Sequence, residues 1–151
     1  MPTIKDQLRA DLTEAMKSRE QLRTRTLRMA LTSISNEEVS GAAAHDLTDD
    51  EVLKILAREA KRRREAAAAF AEASRDDQAA AERAEEQVLV GYLPAQLSDA
   101  ELGAMVAAAI AETGASGQAG MGQVMKILTP RVAGRAEGSR VAALVRAKLA
   151  G

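Results

Sequence analysis

No stretch of this chain alternates apolar and polar residues as a half-buried strand requires, whereas apolar residues recur every three to four positions from Ile4 to Leu149. That periodicity restricts the chain to helices. Composition then decides how they pack. Thirty-three residues are alanine, and Phe70 and Tyr92 are the only aromatics. Alanine favours helix but fills little core volume, so the seams must be built from Leu, Val, Ile and Met. An all-α fold is expected.

The first predicted helix spans Thr3–Ser18, with Thr3 as N-cap and Asp6 near the positive end of the dipole. The second spans Glu20–Val39 and carries a stripe of Leu27, Ala30, Leu31 and Ile34. After the loop 40–46, Thr48-Asp-Asp-Glu51 reads as a capping box opening a long helix to Ala73. Leu53, Leu56, Ala60, Ala67 and Phe70 form its seam, and Arg63 stands where the repeat breaks. Ser74 is expected to cap a fourth helix, Asp76–Val90, that returns antiparallel to the third. Its Glu82, Glu85 and Glu86 would then face the basic run at 58–64, which is the bland explanation of that run.

Pro94 removes a donor and pushes Leu93 out of helical geometry, so a domain boundary is expected there: 1–94 as a helical hairpin or bundle, 95–151 as a small three-helix domain. Ser98-Asp-Ala-Glu101 caps the fifth helix, which ends at Thr113-Gly114. The sixth carries Met121, Val124, Met125 and Leu128 and is kinked or ended by Pro130. Gly134–Gly138 forms a tight turn, and Ser139 caps a seventh helix with Arg140 and Lys148 on its outer face.

Charge is distributed unevenly. Between Met121 and Leu149 six cations oppose one acid, Glu137, a local +5 in a chain whose total is −1. Such a surplus suits a polyanion. Lys126, Arg131, Arg135, Arg140 and Lys148 are the expected phosphate contacts, with Gly134 and Gly138 letting backbone N–H groups approach. Arg58, Lys61 and Arg62 form a secondary basic patch. Two aromatics supply no stacking platform for single strands, so a folded RNA read by shape is the compatible target.

Other chemistries are excluded. With no cysteine and one histidine, His45, the chain offers no thiolate nucleophile and no zinc set. The glycines of 114–120 lack the Lys-Ser/Thr ending of a P-loop and follow no strand. No cofactor and no metal are expected, and no catalytic residue stands out. The longest apolar runs are too short to cross a bilayer, and the first twelve residues lack the apolar core of a signal peptide, so a cytoplasmic protein is expected.

Tyr92-Leu-Pro-Ala-Gln-Leu-Ser98, Met121-Gly-Gln-Val-Met125 and Gly134-Arg-Ala-Glu-Gly138 together give the chain a resemblance to YqeY-like proteins of the GatB/YqeY family. Arg28-Met29 and Ser74-Arg-Asp-Asp77 extend it to the N-terminal half. The family usually has Asp where this chain has Glu137. The resemblance implies an all-helical, two-part protein whose C-terminal part is similar to the tail domain of the B subunit of tRNA-dependent amidotransferases, which contacts tRNA. It also implies the family label, carbon–nitrogen ligase activity with glutamine as amide donor. The chain itself lacks the nucleophile and phosphate site of a complete ligase, so a non-catalytic accessory role on tRNA is expected. A helical protein–protein adaptor is the alternative.

Overall fold

The computed structural model describes residues 2–150. Among them are seven α-helices, one 3₁₀ turn and no strand. The helices are α1 (Ile4–Lys17), α2 (Gln21–Glu38), α3 (Asp49–Glu72), α4 (Asp76–Val90), α5 (Asp99–Thr113), α6 (Met121–Val132) and α7 (Gly138–Ala150), with the 3₁₀ turn at Gln118–Gly120. They form two compact units, Met1–Leu93 and Pro94–Gly151.

In the first unit, helix starts are set locally. The Thr3 hydroxyl accepts the Asp6 N–H, and the Asp6 carboxylate accepts the Thr3 N–H. The Asp49 carboxylate accepts the next N–H, that of Ile4, so the first turn of α3 also secures the start of α1. Thr48 and Glu51 form the equivalent reciprocal pair at α3. Between α1 and α2 the chain reverses at Arg19, which takes the left-handed conformation (φ 57°). Leu8, Leu27, Ile34, Leu56 and Leu89 are fully buried, and Ala15, Ala30 and Ala60 between them let the helix backbones approach.

α3 and α4 form the expected hairpin, but its turn differs from the sequence reading. Ser74 does not cap α4. It occupies the left-handed position (φ 60°) that closes α3, with the Arg75 N–H returning to the Phe70 carbonyl at 2.8 Å. The reversal requires one left-handed residue and the stretch 73–75 contains no glycine, so Ser74 takes it. The N-cap falls to Arg75, without a side-chain hydrogen bond.

The second unit packs α5, α6 and α7 around Leu102, Val106, Val124, Leu128, Val141 and Val145. Ser98 and Glu101 form a third capping box, and left-handed Gly114 (φ 65°) ends α5. A Cβ on Gly120 would lie 2.5 Å from that of Ala115, so only glycine fits where the 3₁₀ turn meets α6. Pro130 does not end α6, which continues to Val132. Nor is Ser139 the cap of α7: that helix begins at Gly138 and contains Ser139 in its first turn.

The carboxyls of Asp6, Glu51 and Glu101 are held below the ordinary carboxylate range, first by the backbone N–H and then by the hydroxyl of Thr3, Thr48 and Ser98 respectively. A carboxyl whose folded-state pKa is depressed stabilises the fold fully above its unfolded value, about 4.5 for Glu51, and loses that contribution as pH falls through the folded value. Urea unfolding across a pH series will therefore show stability falling below about pH 4.5, with a shallower fall in Glu51→Gln. Thr48→Ala will cost about 1 kcal/mol at neutral pH.

Candidate functional site

The turn between α6 and α7 is stitched to the segment before α5. The Leu97 N–H donates to the Arg135 carbonyl at 2.9 Å, and the Gln96 amide donates to the Gly134 carbonyl at 2.9 Å. Gly134 is left-handed (φ 74°). These bonds carry Arg135 to the surface of the unit, where its Nε makes a long contact (3.4 Å) with the Ala95 carbonyl.

The five predicted phosphate contacts occupy four environments, that of Arg135 being the one just described. Lys126 and Lys148 are exposed. Arg131 forms a two-pronged pair with Glu112 of α5, at 3.1 and 2.9 Å, both side chains about half exposed (46% and 48%). Arg140 does not share the outer face of α7 with Lys148. It turns towards the start of α5, donating to the Leu97 carbonyl at 3.0 Å and to Asp99 at 2.6 Å. The local +5 therefore overstates the field, because α5 supplies the acids. Residues 94–151 hold six cations and four anions, a net +2. Arg146, inside the basic segment but outside the predicted set, is exposed.

In the first unit Arg58, Lys61 and Arg62 are exposed, and Arg62 lies 3.4 Å from Glu59. The expected pairing across the α3–α4 hairpin is present at Arg64–Glu86 (3.0 Å) and Arg63–Glu85 (3.6 Å). The sequence reading did not see that Glu59, Arg63 and Glu85 are all buried, at 6–8% exposure. Arg63 donates to Glu59 at 2.8 Å, Arg25 of α2 reaches Glu85 at 2.8 Å, and the Ser33 hydroxyl donates to Glu59 at 3.0 Å. The available signal was the break at Arg63 in an otherwise apolar seam: a cation at a core position demands a buried acid. Elsewhere in this unit the Tyr92 hydroxyl donates to Asp11, which also lies 3.7 Å from Arg23. Burial and then the Asp11 hydrogen bond push the hydroxyl well above the usual phenol range. Among the described residues no group of three His, Cys, Asp or Glu side chains is placed to hold a metal ion.

A sequence model of the Yqey-like protein family matches residues 5–149, nearly the whole chain. The chain belongs to the YqeY-like family. It is also 33% identical over 86 residues to "Altered inheritance of mitochondria protein 41, mitochondrial" of Clavispora lusitaniae, a match covering 57% of this chain and 49% of that relative. The matched stretch thus spans about half of the relative's length. In this YqeY-like chain the motifs that suggested the resemblance have distinct structural tasks. Ala95–Ser98 and Gly134–Gly138 hold each other through the Leu97, Gln96 and Arg140 hydrogen bonds, while Val124 of the Met121–Met125 motif lies in the core.

Removing one partner from a buried ion pair strands the other. Glu59→Ala will destabilise the first unit by about 3–5 kcal/mol in urea unfolding. The double variant Glu59→Leu with Arg63→Met will recover most of that loss, because Glu85 keeps Arg25.

Proposed function

We propose that this YqeY-like chain is a non-catalytic accessory protein that binds structured RNA, tRNA foremost, through the unit from Pro94 onward. The observation that carries the reading is the exposed cation set Lys126, Arg146 and Lys148 on a unit of net +2. Arg135 adds a half-buried guanidinium beside them in sequence. Arg131 belongs to an exposed pair with Glu112, and pairs of that kind are weak enough to exchange a carboxylate for a phosphate. Arg140 keeps α7 on the start of α5 and contributes structure rather than affinity. Phosphate contacts fix register without reading sequence, which suits a folded RNA recognised by its backbone.

The amidotransferase connection comes from the resemblance of the C-terminal part to the tRNA-contacting tail of the larger enzyme. On that reading the chain serves tRNA amidation or a related step without performing it. Among the described residues, no helix is long and apolar enough to cross a membrane. A cytoplasmic site of action is the expectation from the first twelve residues and the short apolar runs, whereas the name of the Clavispora lusitaniae relative favours mitochondria. The adaptor reading is favoured by one observation, the exposure of Met16 (43%) and Met29 (45%) on α1 and α2.

Fluorescence anisotropy with folded tRNA, at two salt concentrations, tests the proposal. Three phosphate contacts predict roughly 40-fold weaker binding on going from about 50 to about 200 mM salt. Lys126→Glu, Arg146→Glu and Lys148→Glu combined will lower affinity at least about tenfold while leaving the thermal midpoint unchanged. Salt-independent binding, or wild-type affinity in the folded triple variant, would overturn it and leave the adaptor reading.

A further inference from the structure

α2 and α3 border an open cleft of about 380 Å³ in the first unit, far in sequence from the cations assigned to RNA. Its lining includes Arg28, Met29 and Ser33 from α2 and Glu59, Arg62 and Arg63 from α3. Arg63 is 7% exposed, yet its donors are incompletely used. Nη1 is satisfied by Glu59 at 2.8 Å. Among the described residues, the acceptor within reach of Nη2 is the Met29 sulfur at 3.6 Å, a poor one, while the buried Nε faces the Glu85 carboxylate at 3.6 Å, beyond hydrogen-bonding distance. A buried guanidinium with spare donors is costly unless something else accepts them.

The surrounding charge favours an incoming anion. Arg25, Arg28, Arg62 and Arg63 oppose Glu59 and Glu85, a surplus of two cations, and the two at the cleft rim, Arg28 and Arg62, are exposed. The remaining lining sets the anion's type. The Glu59 carboxylate is fixed at the floor, which disfavours a dianion. The exposed Met29 side chain gives the cleft an apolar shelf next to the guanidinium. One charge, an oxygen to accept from the under-used Nη2 and an apolar neighbour describe an organic carboxylate.

We propose that the α2–α3 cleft is a carboxylate-binding site, in which Arg63 supplies the buried donor, Arg28 and Arg62 the attracting charge, and Met29 the contact for the apolar body of the ligand. Two sources present that chemistry: a free short-chain carboxylic acid, and an acidic side chain flanked by apolar residues in a peptide.

The experiment is a titration of the ¹⁵N-labelled full-length chain, following the arginine side-chain resonances. The probes are butyrate, an acetylated and amidated Leu-Glu-Leu peptide, its Leu-Gln-Leu counterpart, and inorganic phosphate. A saturable shift of the Arg63 Nε–H resonance with butyrate supports the site and assigns a free acid. A shift with Leu-Glu-Leu alone supports it and assigns a peptide. Arg28→Ala with Arg62→Ala, which alters rim residues and spares the buried pair, will weaken either by about tenfold or more. The proposal is overturned if neither carboxylate gives a saturable shift, if Leu-Gln-Leu acts as well as Leu-Glu-Leu, if phosphate binds more tightly than both, or if the rim variant binds as the parent does. A failure of tRNA binding would leave this site untouched, since its residues lie in the other unit.

Discussion

Arg63 is the residue around which α2, α3 and α4 are arranged. Its charge is carried into the interior by a seam that, Glu59 apart, is otherwise Val, Ile, Leu and Ala, and the cost of removing it from water is offset only because buried acids meet it there. Glu59 lies one turn back on the same helix, Glu85 comes from α4, and Arg25 and Ser33 from α2 complete the bonding of those two acids. Few packings of three helices bring all of these charges together. The apolar contacts favour association; the ionic ones select the register in which it occurs.

The two units solve their charge problems differently. In the first, opposite charges meet in the interior, and Arg63–Glu85 and Arg64–Glu86 bind α3 to α4 at one level of the hairpin. In the second the ion pairs are peripheral: Arg131 with Glu112 and Arg140 with Asp99 tie α6 and α7 to opposite ends of α5, around a core without charge. Peripheral pairs contribute little to stability, which leaves that unit's surface cations available for other work.

The fold was legible wherever its cause lies within a few residues. Thr3–Asp6, Thr48–Glu51 and Ser98–Glu101 state their helix starts outright, and apolar spacing gives the stripes of α1, α2, α5, α6 and α7; α4 showed none, and α3 buries Val52 and Ile55 where spacing had pointed to Leu53 and Phe70. Ser74 and Ser139 misled because a serine before a helical run has more than one use; only the three-dimensional reversal after α3 shows that Ser74 is needed as a left-handed residue. The candidate sites were less legible for a related reason. Counting charge along residues 121–149 cannot register Asp99 and Glu112, which lie 41 and 19 residues before the arginines they meet and engage two of the five predicted contacts in ion pairs. Glu59 and Glu85 read as partners of surface charge and not as buried acids, since burial is a property of the packed helices and not of the residue.

The capping boxes have a consequence that the division into units conceals. They sit at the starts of α1, α3 and α5, whereas α2, α4 and α6 begin without a side-chain cap. Protonation thus acts on both units through one kind of chemical event, the release of a carboxyl from the backbone N–H and the hydroxyl that hold its pKa down. Two bodies with separate cores and different ionic designs are thereby given the same kind of acid lability, without any requirement that one sense the state of the other.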